Sequence, residues 1–103
     1  MAFKTVFIAH APDADFEKHH NLIETGKYKL YTYVVKSQLE ALQVCRDLYE
    51  REKIDSVLLC PGFTHKDVAE IFEALGNKVA VCVSRGDVPS GQITGPVIQR
   101  EFS

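Results

Sequence analysis

Apolar and polar positions fall into alternating blocks along the chain. Phe3-Lys4-Thr5-Val6-Phe7-Ile8-Ala9 is a short run rich in β-formers that stops at His10, and it predicts a buried strand. Tyr28 to Lys36 predicts a second strand, with Leu30 and Thr32 on one face, Tyr31 and Tyr33 on the other, and a Val pair at its end. Asn21 to Thr25 has the form of a hairpin arm pairing back onto it, because the Gly26-Lys27 link suits a tight turn. Ser56 to Cys60, ended by Pro61-Gly62, and Lys78 to Ser84 predict two more strands. The last of these is a continuous Val-Ala-Val-Cys-Val run of the kind that parallel sheets bury on both faces.

Helical spacing fills the intervals. Ser37-Gln38-Leu39-Glu40 is a capping-box pattern, and the helix it opens should run to about Glu52 with Leu39, Leu42, Cys45, Leu48 and Tyr49 as its apolar stripe. Thr64-His65-Lys66-Asp67 opens a second helix with Val68, Ile71, Phe72 and Leu75 as the stripe and Gly76 as the stop. The tail from Val88 to Phe102 looks partly helical but is interrupted by Gly91, Gly95 and Pro96. Residues 11–27 and 88–103 carry no single sustained pattern beyond these.

Strands alternating with helices indicate an α/β sandwich with a mainly parallel sheet of four to five strands. Right-handed crossovers then restrict the topology. With the strands at 3–9, 28–36, 56–60 and 78–84 counted first to fourth, the expected core order is 2-1-3-4, a small three-layer flavodoxin-like arrangement. Both helices fall on one face. The opposite face is left to the segment Ala11–Thr25 and the broken tail, thin cover that predicts a second copy of the chain as partner, a homo-oligomer.

Composition narrows the partners. The 103 residues suit one α/β domain spanning 1–103 and allow roughly 65% of the unfolded surface to be buried. Lys plus Arg number 12 against 14 Asp plus Glu, a net charge of −2 with no basic run, which argues against nucleic acid as a partner. No apolar stretch approaches the roughly 20 residues that span a bilayer, and the first residues lack a signal-peptide core, so no membrane partner is expected. Cys45, Cys60 and Cys82 are odd in number without a Cys-x-x-Cys pair, which disfavours a disulfide framework and a four-ligand zinc site. A reduced, cytoplasmic protein is the simplest expectation.

The expected order places the switch point between the first and third strands, beyond their carboxyl ends, where open α/β sheets bind ligands. His10 arrives there from the first strand and Cys60-Pro61-Gly62-Phe63-Thr64-His65 from the third, with Ser84-Arg85-Gly86-Asp87 next door. A thiol, a Pro-Gly turn and a helix N-terminus in succession suit an anion, through free backbone amides and the helix dipole. The plainer alternative is a turn, an N-cap at Thr64 and a Cys60 that merely fills space. A phosphatase-like loop requires Arg at the sixth position after the cysteine; Lys66 stands there, and that reading is rejected. Arg85 is suited to clamp a carboxylate or phosphate, or else pairs with Asp87 or Asp13 to fix its loop.

His10 and His65 suit proton transfer near neutral pH, with Cys60 beside them as a candidate catalytic group. Gly62, Phe63, Thr64, Arg85 and Asp13 are the candidate ligand-binding residues. A metal held by His10, His65 and Cys60, or with a carboxylate from Asp13, Asp15 or Glu17, is the weakest alternative, since no His-x-x-x-His or His-x-His pair is present. His19 and His20 read as solvated loop residues, and the Tyr28, Tyr31 and Tyr33 set as an edge strand or subunit contact rather than a ligand wall. No Walker pattern or Gly-x-Gly-x-x-Gly fingerprint names a cofactor.

With His10-Ala11-Pro12-Asp13-Ala14-Asp15, Cys60 to His65 and Ser84 to Asp87 laid out, nearly the whole chain resembles a family of short prokaryotic α/β proteins of unknown function. The resemblance implies a small stand-alone α/β domain and assigns no catalytic residues. The expected function is binding of a small carboxylate or phosphate metabolite at the carboxyl edge of the sheet, as an acid–base enzyme if the site is catalytic. The competing expectation is a non-enzymatic sensor or assembly subunit whose loops serve subunit contacts.

Overall fold

The apolar runs become the inner strands of one sheet. A computed structural model describes residues 1–103 and holds β1 (Phe3–His10), β2 (His20–Glu24), β3 (Tyr28–Val35), α1 (Gln38–Glu52), β4 (Ser56–Leu59), α2 (His65–Ala74), β5 (Ala80–Val83) and α3 (Val88–Glu101). The sheet is five-stranded and mixed, in the order β2-β3-β1-β4-β5. β1 pairs in parallel with both β3 and β4, β5 is parallel to β4, and β2 alone is antiparallel. The four strands expected as the core stand in sequence as β3-β1-β4-β5, and the sheet departs from the four-strand order 2-1-3-4 by a fifth, antiparallel strand at its edge. The arm expected at Asn21–Thr25 is a full strand, added outside β3 and closed by a tight link in which Thr25 Oγ1 accepts from Lys27 N and Tyr28 N.

Register sorts the side chains into two faces. Val6 stands level with Tyr31 and Val57, and Ile8 with Tyr33 and Leu59. These rows carry the core, whose fully buried members include Val6, Ile8, Val35, Val57 and Leu59. Both packed helices cover this face. α1 contributes Ala41, Val44, Cys45 and Leu48, so its buried stripe is rotated from the expected one and Leu39 is 71% exposed. α2 buries Ile71, followed by Leu75 at its C-cap, and Gly76 ends it with φ +72°. Gln38 joins the two helices by donating from Nε2 to Asp67 O and Glu70 Oε1.

The other face holds Phe3, Phe7, Tyr28, Leu30, Leu58 and Cys82, and no helix lies on it. Phe3 is 45% exposed, Tyr28 45% and Leu58 38%. The third layer of the expected sandwich is therefore missing. Residues 11–19 do not cover this face, because Phe16 packs against the core on the helical side. α3 does not cover it either: it is a continuous helix standing off the sheet, with no buried residue. Its continuity through Pro96 has a local reason. Pro96 cannot donate to Gln92, but Gly95 before it has no Cβ for the proline ring to strike.

No helix is long and apolar enough to cross a membrane.

Candidate functional site

β1 and β4 end side by side, and their carboxyl ends assemble a small polar cluster. Cys60 N donates to Ile8 O at 3.0 Å, carrying the parallel pairing one residue past β4. The chain then turns at Pro61-Gly62, where Phe63 N donates back to Cys60 O at 3.2 Å. Phe63 is buried and supports His10 from below, the rings stacked with centroids 4.0 Å apart and planes at 22°. A Cβ added at Gly62 would lie 3.6 Å from Cys60 Sγ and 3.6 Å from His10 Nδ1. The thiol and the imidazole therefore both approach Gly62, at contact distance from where its side chain would begin.

The imidazole of His10 titrates below its ordinary 6.5, because burial disfavours the cation; the carboxylate of Asp67 opposes this in part. It is a neutral donor–acceptor at physiological pH. Asp67 belongs to the reciprocal cap of α2: Thr64 N donates to Asp67 Oδ2 at 2.9 Å, and Asp67 N to Thr64 Oγ1 at 3.1 Å. Thr64 is thus committed to capping, while the amides of His65 and Lys66, the first two of the helix, lack intrahelical acceptors. Thr64→Ala should remove one half of this box and lower the stability of the chain by about 1 kcal/mol, read as a reduced urea midpoint at unchanged m-value.

The remaining sequence candidates divide. Gly86 seats its loop against the turn, a Cβ there falling 3.2 Å from Pro61 Cβ, tighter than the site would accommodate without a shift. Arg85, in the same loop, is 88% exposed and directs Nε to Asp87 Oδ1 at 2.6 Å, which is the loop-fixing pair anticipated as its plainer role. His65 and Asp13 are exposed. No group of three or more His, Cys, Asp or Glu side chains is placed to hold a metal ion, so His10, His65 and Cys60 do not form a ligand set.

Two features were not anticipated. His19 and His20 have structural partners: Asp15 N donates to His19 Nδ1 at 2.9 Å, and the His20 ring stacks on Tyr33 at 5.1 Å. A groove of about 690 Å³ lies between the β2–β3 arm and α1, lined by Phe16, His20, Tyr31, Tyr33, Asp47 and Arg51 among others. Tyr31 is buried there and donates its hydroxyl to Glu52 Oε1 at 2.9 Å, and β2, not β3, forms the sheet edge. The Tyr31–Tyr33 pair is thus a wall beneath an arm rather than an edge strand. The signal was the alternation of β3, which placed both rings on the helical face.

Fold and cluster together define a small α/β protein with polar groups gathered where two parallel strands end. The chain belongs to the family of unknown function DUF6506, whose model matches residues 3–96 and so takes in every strand and both packed helices. No curated protein and no solved structure matches it.

Proposed function

We propose that the chain binds a small carboxylate metabolite at the carboxyl edge of β1 and β4. The observation carrying this reading is that His10 Nδ1 and Cys60 Sγ both lie close to Gly62, each 3.6 Å from where a Cβ would stand. A ligand oxygen placed beside these groups, at contact distance from the Gly62 backbone, would take a hydrogen bond from the neutral imidazole, while the helix dipole of α2 and the amides of His65 and Lys66 offset its charge. The carboxylate of Asp67 already occupies part of that positive end. A singly charged carboxylate is therefore favoured over a phosphate dianion. If the ligand reacts, His10 is the group that exchanges a proton with it, and Phe63 holds the ring in place.

Titration of the ¹⁵N-labelled protein with acetate, succinate and inorganic phosphate tests this. The amides of Gly62, His65 and Lys66 should shift with a carboxylate, less so with phosphate, and not in His10→Ala. Affinity should rise as pH falls through the lowered titration of His10, because a bound anion stabilises the imidazolium. Absence of any shift at these amides with all three anions would sink the reading.

A second reading, a non-enzymatic assembly subunit, is favoured by the bare apolar sheet face.

A further inference from the structure

The molecule leaves two apolar surfaces without partners. One is the sheet face opposite α1 and α2, where Phe3, Phe7, Tyr28, Leu30, Leu58 and Cys82 line a shallow groove of about 480 Å³. The other is α3, a helix of 14 residues with none buried. Along α3, Val88 is 79% exposed, Ile93 75%, Ile98 49% and Phe102 47%. Standing off the sheet, α3 lengthens the chain to 42 × 26 × 24 Å with a radius of gyration of 14.0 Å, against about 13 Å for a compact domain of this size.

We infer that α3 docks on the open sheet face of a second copy of the chain, so that two copies exchange their C-terminal helices. This rests on the assembly reading above and specifies its geometry. The occupant is identified by the chain itself, which supplies both halves of the contact in every copy, as a closed two-fold dimer requires. Dimensions agree. At 1.5 Å per residue α3 is about 21 Å long, which fits along a strand of eight residues such as β1, about 26 Å. Chemistry agrees too: α3 leaves Val88, Ile93, Val97 and Ile98 exposed, with Arg100 and Glu101 its only charged residues. Such a helix suits burial rather than solvent.

The linker directs the helix outward rather than back. It consists of residues 84–87, and it is held at several points: Ser84 N donates to Leu59 O at 2.7 Å, Gly86 sits against Pro61, and Arg85 pairs with Asp87. A fold-back onto its own sheet would have to break this seating. Docking on a second copy leaves the linker as it is.

Cys82, exposed on the open face, provides the test. One full-length chain keeps Cys82 and carries Cys60→Ala. Its co-expressed companion carries Cys60→Ala, Cys82→Ser and Ile93→Cys, or Val97→Cys in place of the last. Mild oxidation should join the two different chains into a covalent dimer, resolved on a non-reducing gel, and should join neither chain to itself. The doubly substituted Cys60→Ala, Ile93→Cys chain alone should form the same dimer. A disulfide closed within a single chain would show α3 folding onto its own sheet and would overturn the exchange. A dimer by light scattering that gives no mixed disulfide with either Ile93→Cys or Val97→Cys would overturn the exchange but keep the assembly reading. A monomer throughout would remove both.

Discussion

Truncating Ile71 to Ala should destabilise the chain by about 2–5 kcal/mol, a large part of the roughly 5–15 kcal/mol available to a domain of this size. Ile71 has no solvent exposure and is the only residue within α2 that is buried. Removing its outer carbons costs their transfer from water and leaves a cavity between α2 and the sheet that the neighbours fill only partly. Phe72, the next residue, is 39% exposed, and Phe72→Ala should cost much less despite deleting more carbon. Urea unfolding of the two variants gives the comparison. Equal losses would mean that α2 does not pack as described. The effect should also reach the candidate site. α2 carries Thr64 and Asp67, and Asp67 acts on His10, so a loosened α2 should move the His10 titration further down as that carboxylate withdraws. Native-state hydrogen exchange should show the α2 amides released ahead of those of β1.

The elements were legible where one local signal decided them. The runs at 3–9 and 56–60 and the caps at Ser37 and Thr64 gave boundaries within a residue or two of β1, β4, α1 and α2. Burial within α1 was less legible. Leu39 fits the spacing of an apolar stripe, yet it lies at the open end of the helix, while the smaller Ala41 and Val44 meet the sheet. The convergence of His10 with Cys60 and Gly62 followed from strand order, which crossover handedness constrains without any knowledge of loops. Arg85 could not be placed that way. Its choice of Asp87 over the cluster is a competition within one exposed loop, decided by geometry that sequence spacing does not encode. The third layer failed for a related reason. An apolar pattern in Phe3, Phe7 and Leu58 says that a face avoids water, not what covers it, and the helix that could cover it is attached by a linker that points elsewhere.

A second large effect is expected at alkaline pH, and Cys45 should be responsible for most of it. Its thiol is fully buried among the α1 and sheet side chains, and burial pushes its titration up from the ordinary 9.0 to about 12. A group whose titration is raised by folding contributes its full stability below the unfolded value and loses it as pH climbs toward the folded one. Between pH 9 and 12 the unfolded chain sheds this proton while the folded chain keeps it, at about 1.4 kcal/mol per pH unit. By pH 11 the loss should reach about 3 kcal/mol from this residue alone. Tyr31 adds in the same direction: burial, then its hydrogen bond to Glu52, raise its hydroxyl to about 12. Urea unfolding at pH 8 and pH 11 should therefore show a steep fall for the native chain. Cys45→Ala carries a small cavity cost that is the same at both pH values, so its fall should be shallower by nearly the whole cysteine contribution. Parallel losses in the two proteins would mean that the thiol ionises as readily in the folded chain as in the unfolded one, and that α1 does not seal this part of the core.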